Sequence, residues 1–226
     1  MSVAPAASGA APVLEAHGLT LEYADGARHV RAVRDVSLRV ERGEFVGIVG
    51  PSGSGKSSLL FLLGGLRGPS AGRVSLLGQA LAAAPERNAD LRRRHVGFVF
   101  QEPFLVPYLS VRENALTHVE DPQGPAHLET LADAVGMREL LDERPHRLSG
   151  GQRQRAGLLR ALANAPDLVL ADEPTAFLDQ AAGHLVMDLL RSHLGRAALV
   201  VVTHDRAMLA GATRVLTLTD GALAAG

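Results

Sequence analysis

A run of glycines, serines and one lysine has the types and spacing of a phosphate-binding loop. It comprises Gly50, Pro51, Ser52, Gly53, Ser54, Gly55, Lys56, Ser57 and Ser58, between the apolar residues 45–49 and 58–63. Glycines let backbone amides turn towards an anion, and the start of the following helix adds its dipole. We expect Lys56 to reach the β- and γ-phosphates of a nucleotide and the Ser57 hydroxyl to bind Mg²⁺. The alternative is a glycine-rich turn without a ligand, and the flanking strand and helix patterns disfavour it.

Lys56 is also the only lysine in the chain. The sequence contains 23 basic residues, and all the others are arginines. A phosphate cradle requires a compact ammonium group, which the planar guanidinium of arginine does not replace. The single lysine therefore supports a phosphate site at this loop.

Two adjacent carboxylates, Asp172 and Glu173, end another apolar run at residues 168–171. Such a pair at the end of a buried strand is unfavourable without charge partners, and a metal–phosphate site would provide them. We expect Asp172 to hold Mg²⁺ directly or through water, and Glu173 to polarise an attacking water molecule. A strand that simply emerges into solvent is the alternative, and it explains one carboxylate better than two.

Three further places combine polar or aromatic residues with an element boundary. Ser149, Gly150, Gly151 and Gln152 precede a predicted helix, where free amides could bind an anion, although an ordinary helix start has the same pattern. His204 follows the apolar residues 198–203 at the edge where ligands bind in α/β sheets, although a lone histidine there is usually structural. Tyr23 could stack on an adenine or pack at the end of a strand.

The periodicity of the remaining chain predicts an α/β protein. Strands are predicted at 13–23, 32–40, 45–49, 72–77, 96–100, 168–171, 198–203 and 214–219, with the first two antiparallel around a turn at 24–27. Helices are predicted at 58–63, 84–94, 111–118, 127–135, 138–141, 153–164, 180–194 and 206–210, with a breaker at 121–125.

Composition limits the classes of function. The 226 residues suffice for one α/β domain with an insertion, and the formal net charge of −1 does not indicate a nucleic-acid partner. The absence of cysteine excludes disulfides and thiolate metal sites. Residues 1–12 are predicted to form a disordered tail without a secretory signal, and no apolar run is long enough to span a membrane.

Together these segments resemble the nucleotide-binding subunits of ABC transporters over nearly the whole chain after residue 12. The most specific segment is Leu148-Ser149-Gly150-Gly151-Gln152, which matches the family signature in every position. The resemblance implies a P-loop NTPase core (13–101 and 165–226) with an N-terminal antiparallel β subdomain. It further implies an inserted helical subdomain (102–164), the whole of 13–226 forming a single ATP-binding domain.

The resemblance also implies roles for individual residues. Tyr23 matches the aromatic residue that stacks on adenine, and His204 matches a histidine that contacts the γ-phosphate. Gln101 matches a glutamine that contacts Mg²⁺ and the water, in a loop that senses the membrane partner. The implied catalytic residues are Glu173, His204, Gln101 and Lys56, and the implied Mg²⁺ ligands are Ser57, Gln101 and Asp172.

Leu178-Asp179 matches the end of a loop that crosses a dimer interface. Before it, Ala176-Phe177 replaces the Ser-Ala of many members, which removes a hydroxyl that could bond across that interface. We expect this departure to affect communication between the two ATP sites of a dimer more than it affects hydrolysis.

The resemblance implies ATP and Mg²⁺ as ligands and a head-to-tail dimer as the active form. Ser149 and Gly151 of one copy would touch the γ-phosphate bound at Lys56 of the other, and hydrolysis would open the dimer. An integral-membrane permease would be contacted after Gln101, at the cytoplasmic face of a bacterial inner membrane. The apolar residues of that stretch, which could instead cap the core of their own lobe, are Phe104, Val106, Tyr108 and Leu109.

The residues 63–66 and 97–101 resemble the branch that serves macrolide export, lipoprotein release and haem export. A regulatory ATPase of the cell-division type is the alternative function. A DNA-repair or translation ATPase would need coiled-coil heptads or a second cassette, and a small-molecule kinase would need an acceptor pocket instead of the signature. The cargo is not encoded in these motifs.

Overall fold

Two β-sheets and the helices packed on them form the part of the chain that the computed structural model describes, residues 11–25 and 28–225. Most of the predicted tail and residues 26 and 27 of the predicted turn lie outside it. The strands are β1 (Leu14–Asp25), β2 (Arg28–Val40), β3 (Phe45–Val49), β4 (Ala71–Leu76), β5 (Gln79–Ala80), β6 (Val96–Val99), β7 (Leu168–Asp172), β8 (Ala198–Thr203), β9 (Arg214–Thr219) and β10 (Ala222–Ala225). The α-helices are α1 (Lys56–Leu63), α2 (Ala89–His95), α3 (Val111–Leu116), α4 (Gly124–Ala134), α5 (Gly150–Leu162) and α6 (Gln180–Ser192). Single 3₁₀ turns cover Pro85–Asn88, Arg138–Leu140, Pro145–Arg147 and Arg206–Leu209.

The larger sheet aligns the carboxyl ends of its parallel strands along one edge. Its order is β10-β9-β3-β8-β7-β6, and all neighbouring strands except β10 and β9 are parallel. Every residue of β3, β7 and β8 is buried, as expected for strands covered on both faces. Val49 pairs with Thr203, and Val99 pairs with Ala171, so the loops after β3, β8, β6 and β7 meet at this edge.

The smaller sheet is antiparallel and has the order β2-β1-β4-β5. Its buried leucines and valines share one core with the buried face of α1 and with one face of the larger sheet. A second core on the other face joins α3, α4, α5 and α6 to the larger sheet. The phosphate-loop helix α1 and the helix α5 are therefore anchored in different cores.

The structure differs from the sequence expectations at a few boundaries. The predicted breaker at 121–125 is wrong in its second half, because α4 begins at Gly124 with Pro125 in its first turn. Proline is tolerated there because the amide it lacks would have no partner in the helix. The region 206–210 forms a single 3₁₀ turn, and the short strands β5 and β10 were not predicted.

At the opposite edge of the larger sheet, the Asp167 carboxylate joins two segments that enter it. Its oxygens lie 2.8 Å from Nη2 of Arg42, just before β3, and 2.8 Å from Nδ1 of His95, just before β6. Burial raises the pKa of Asp167. The hydrogen bonds and charges of His95 and Arg42 together lower the pKa by more than burial raises it, so the net shift is downward. The ionised carboxylate therefore stabilises the folded state.

We expect Asp167→Asn to lower the thermal midpoint at neutral pH by about 2–4 °C, because the pair contributes about 1 kcal/mol. A depressed folded pKa adds stability above the unfolded value, about 3.9, and that stability is lost as pH falls through the folded pKa. The thermal midpoints of the wild type and of Asp167→Asn, measured from pH 8 to pH 3, should therefore converge below about pH 4. Asp90→Asn is the control, because the Asp90 side chain is 84% exposed, and it should leave the thermal midpoint unchanged at every pH. A difference that does not vary with pH would refute the assignment.

Candidate active site

The loop between β3 and α1 ends with backbone amides that have no partner inside the helix. The first helical hydrogen bond runs from Leu59 N to Gly55 O at 2.8 Å, which leaves the amides of Lys56, Ser57 and Ser58 without helical acceptors. Gly55 has φ 99°, a conformation that favours glycine, and a Cβ there would lie 2.0 Å from the Ala32 carbonyl oxygen. The loop conformation therefore depends on glycine at this position.

The charged and hydroxyl groups of the loop fit a polyphosphate. Lys56 Nζ donates hydrogen bonds to the carbonyl oxygens of Gly50 at 2.8 Å and Pro51 at 2.9 Å, which holds the ammonium across the loop. Ser54 is buried, and among the described residues its Oγ has no hydrogen-bond partner. Ser52 and Gly53 are exposed at the turn of the loop. A held cation beside free amides is an arrangement that binds phosphate oxygens.

Asp172 and Ser57 come together where β7 ends next to the loop. Asp172 is 8% exposed, and burial raises the pKa of its carboxyl group. The hydrogen bond from Ser57 and the charge of Lys56 oppose that shift, while the charge of Glu173 adds to it. A hydroxyl and a carboxylate are the hard oxygen donors that Mg²⁺ prefers, so these two residues fit that ion. The third predicted ligand, Gln101, is exposed just beyond β6.

Glu173 and His204, predicted separately, are in direct contact. Both Nδ1 and the backbone N of His204 bond to Oε1 of Glu173, at 2.8 and 2.9 Å. Thr203 Oγ1 donates to Oε2 at 2.8 Å. Glu173 has φ 45°, an uncommon value for a residue other than glycine, and its N donates to Val202 O at 2.9 Å. These contacts hold the carboxylate in one orientation, and Thr203 is the functional neighbour that the sequence analysis missed.

Tyr23 lies beside the start of α1. Its hydroxyl is 3.2 Å from the Ser58 hydroxyl, and the Arg67 guanidinium carbon lies 4.9 Å from the centre of the ring. The cation over the ring is a favourable contact that orients the tyrosine. Arg67 was not singled out from the sequence, because an arginine after a helix has no distinguishing pattern.

The segment 148–152 forms the start of α5 with a capping box. Ser149 Oγ accepts from Gln152 N at 3.2 Å, and Gln152 Oε1 accepts from Ser149 N at 2.7 Å. The Ser149 hydroxyl therefore keeps its own proton to donate, and Ser149 and Gly150 are exposed. Within residues 11–25 and 28–225, no hydrogen bond or ion pair joins the residues 149–152 to the loop at 50–58.

The loop after Glu173 runs past the start of α5. Leu178 lies so close to Gly151 that a Cβ on the glycine would be 3.1 Å from Leu178 Cδ2. Asp179, expected at a dimer interface, caps α6 by accepting a hydrogen bond from Ala182 N at 2.9 Å. Phe177 is 55% exposed beside these residues. The free chain therefore presents this loop and the start of α5 on one surface.

A family model described as ABC transporter matches residues 33–176, well over half of the chain. The chain belongs to the ABC transporter family. The resemblance drawn from the motifs is confirmed, and we refer to the chain as the cassette.

Relatives of three kinds are similar to the cassette. A macrolide export ATP-binding/permease protein of Aeromonas hydrophila subsp. hydrophila is 40% identical over 95% of this chain and 34% of that protein. A lipoprotein-releasing system ATP-binding protein of Xylella fastidiosa is 40% identical over 94% of this chain and 92% of that protein. A protein of Staphylococcus haemolyticus named for hemin import is 35% identical over 92% of this chain and 97% of its own length. The cassette thus spans about a third of the macrolide export relatives and nearly the whole of the other two.

Two solved structures resemble the cassette closely. One is a dimeric ATP-binding cassette in a post-hydrolysis state bound to ADP and Pi, with a TM-score of 0.86 and 32% identity over 94% of this chain and 98% of that one. The other is a dimeric structure of the same bacterial ABC transporter cassette, with a TM-score of 0.85 and 32% identity over the same shares of the two chains. The predicted α/β class is confirmed, and the cassette is an ATP-binding ATPase.

None of the described helices is both long and apolar enough to cross a bilayer.

Proposed function

We propose that the cassette is the ATP-hydrolysing subunit of a bacterial membrane exporter of the macrolide, lipoprotein or haem type. It works at the cytoplasmic face of the inner membrane, and closure of a head-to-tail dimer around ATP drives the permease. The observation that carries this proposal is the half-site. The phosphate loop lies next to Asp172, and Glu173 is held by His204, while the exposed start of α5, with its free amides, makes no described hydrogen bond to the phosphate loop of its own chain.

The phosphate loop would hold the nucleotide through its backbone amides and Lys56. The residues assigned to nucleotide binding are Tyr23, Gly50, Pro51, Ser52, Gly53, Ser54, Gly55, Lys56, Ser57 and Ser58, with Asp179 and Ser149, Gly150, Gly151 and Gln152 from the second copy. Ser57, Asp172 and Gln101 would hold Mg²⁺, and the ion would supply positive charge against the phosphates.

Glu173 is assigned as the group that orients the attacking water and accepts its proton. Thr203 and His204 occupy both oxygens of the carboxylate from one side, so its position is set before ATP arrives. His204 uses Nδ1 to bond to Glu173, and its side chain is 74% exposed. Nε2 therefore donates to a γ-phosphate oxygen only when both ring nitrogens carry protons.

The exposed start of α5 supports the head-to-tail dimer. Ser149 and Gly150 are exposed at the start of α5, where the Ser149 hydroxyl and the first helical amides are available to an anion. The similar solved cassettes are dimers. A second copy placing its phosphate loop here would satisfy both surfaces, and the exposed Phe177 would contact it.

The proposed ATP site is shared, because one copy supplies the phosphate loop and the other supplies the start of α5. Two variants, each defective in one of these two segments, test it. A Cβ at Gly150 would meet no atom within 4 Å, so Gly150→Asp should fold while its carboxylate repels the γ-phosphate. Lys56→Ala disables the other half. In a Glu173→Gln background, neither variant alone should dimerise with ATP and Mg²⁺, whereas a tagged copy of one should capture an untagged copy of the other. Capture by the mixture no greater than by each variant alone would refute the shared site.

A membrane partner is assigned to the surface that follows β6. A cavity of about 510 Å³ lies between β6, α2, α3 and α5, and the phenylalanines at 98, 100 and 104 line it. Phe104 and Tyr108 are 65% and 71% exposed, whereas Val106 and Leu109 are partly buried in their own lobe. The exposure of Phe104 and Tyr108 supports a contact with a partner at this stretch. An apolar helical segment of the permease is the occupant we propose, because the macrolide export relative is an ATP-binding/permease protein.

Tyr108→Asp should abolish co-purification with the co-expressed permease of the same transporter, because it places a charge in an apolar contact. Detergent extraction followed by affinity capture measures this loss. The ATPase activity of the isolated chain should remain within about twofold of the wild type. Leu185→Asp, on the 40% exposed residue of α6, is the matched control and should retain the permease. Equal retention by both variants would favour a role for Tyr108 confined to its own lobe.

The three relatives are named for macrolide export, lipoprotein release and hemin import, and none of the three is named for cell division. They have different cargoes at similar identity, which agrees with a permease that selects the substrate. The regulatory alternative gains no support from them. Transport of cargo into proteoliposomes carrying the cassette and its permease, or out of them, would establish direction.

A further inference from the structure

Gln154 connects two catalytic segments to the helix α5. The side chain is 1% exposed, and its Nε2 donates hydrogen bonds to the carbonyl oxygens of Phe100 at 3.0 Å and Pro174 at 3.4 Å. Phe100 directly precedes Gln101, and Pro174 directly follows Glu173. One buried amide thus bridges the peptides next to both residues.

Two further residues of α5 hold the same segment. Arg160 donates to the carbonyl oxygens of Pro103 at 2.6 Å and Phe104 at 2.7 Å. Gly157 lets Pro103 approach so closely that a Cβ on the glycine would lie 2.8 Å from the proline Cβ. The spacing of 154, 157 and 160 places all three on one face of the helix. The residues 100–104 are therefore attached along α5 and must follow its movement.

The remaining polar atom of Gln154 is unused. Its Oε1 is buried and has no hydrogen-bond partner in the described part of the chain. A buried amide oxygen without a donor is unfavourable, even though the amide nitrogen satisfies the carbonyl oxygens of Phe100 and Pro174. The oxygen therefore indicates a second arrangement in which a donor reaches it.

We propose that Gln154 is a positioning residue for hydrolysis, an inference that rests on the proposed head-to-tail dimer. When a second copy engages the start of α5, the helix moves, and Gln154 carries the peptides beside Gln101 and Glu173 with it. In that closed arrangement Oε1 accepts a hydrogen bond from one of these two segments. Gln154 touches neither ATP nor water and acts through Gln101 and Glu173.

Gln154→Leu tests this role, because it keeps the bulk and removes both polar atoms. The expected result is a kcat lowered at least tenfold, with the KM for ATP and the ATP affinity of the monomer within twofold of the wild type. Asn88→Leu is the matched control, since Asn88 is a buried amide that bonds only to Ala82 in the described contacts. It should lower thermal stability and leave kcat within twofold.

A double variant separates positioning from general weakening. If Gln154 acts through Gln101, the kcat loss of Gln154→Leu combined with Gln101→Ala should be much smaller than the product of the two single losses. Losses that multiply, or a Gln154→Leu variant with wild-type kcat and a lower thermal midpoint, would overturn the inference. Gln154→Met replaces the leucine variant if the latter does not fold. A wild type that fails to dimerise or hydrolyse ATP would instead contradict the proposed function itself.

Discussion

Replacing Glu173 by glutamine is expected to lower ATP turnover by about 100-fold or more, because the amide cannot accept a proton from water. The substitution keeps the shape of the side chain. With the amide oxygen in the place of Oε1, the backbone N of His204 can still donate to it, and the NH2 group in the place of Oε2 can donate to the Thr203 hydroxyl, so the geometry of the loop should persist. ATP affinity should remain within about threefold, since this carboxylate is not assigned to nucleotide binding.

The same variant should accumulate as a dimer when ATP and Mg²⁺ are present, because the step that opens the dimer is blocked. Phosphate release and size-exclusion chromatography with light scattering measure the two effects on one preparation. Glu139→Gln, an exposed change away from the site, controls for the loss of a carboxylate and should behave as the wild type. A Glu173→Gln protein that remains monomeric at saturating ATP would contradict the shared site, and unchanged turnover would contradict the role of Glu173.

Lys56→Ala is expected to weaken ATP binding by about 100-fold or more, since charge-assisted hydrogen bonds to phosphate are strong. The carbonyl oxygens of Gly50 and Pro51 also lose their shared donor, so the loop should become less ordered. Titration with a fluorescent ATP analogue measures the affinity. Arg73→Ala, which removes one exposed positive charge, should leave the affinity unchanged.

Lys56→Arg separates charge from shape. The guanidinium keeps the charge but is planar and wider than the ammonium held between the two carbonyl oxygens. We expect at most a small recovery of affinity over Lys56→Ala. Wild-type ATP affinity in Lys56→Arg would show that the loop needs only a positive charge. It would contradict the inference that the single lysine is there because the site requires an ammonium group.

The sequence predicts the parts of this fold that depend on periodicity and local motifs. The runs at β3, β7 and β8 are apolar throughout because both sheet faces are covered, so their positions follow from composition. The phosphate loop and the paired carboxylates follow from residue types at short spacing. Parallel strands with aligned carboxyl ends then bring Glu173 and His204 together, as expected from the edge at which each strand ends.

The features that were missed depend on contacts between distant segments or on weak local preference. The strand β10 is three alanines and one leucine, a composition with little strand propensity, and it forms because β9 offers an edge to pair with. The link from Gln154 to Pro174 joins residues 20 apart in sequence, and the polarity of Gln154 alone suggests an exposed helix face. The positive φ of Glu173 accompanies a hydrogen bond that its N donates to Val202 O and one that its carboxylate accepts from His204 N, and no local sequence pattern records these bonds.

The ammonium held across the phosphate loop has a consequence for the covalent chemistry of the protein. Because the chain has no other lysine, it offers a single side-chain amine to acylating reagents. Amine-directed dyes, cross-linkers and mass tags would therefore attach at the nucleotide site and nowhere else among the side chains. Bound ATP would shield that amine, so the extent of labelling at Lys56 would report the fraction of empty sites in the purified protein.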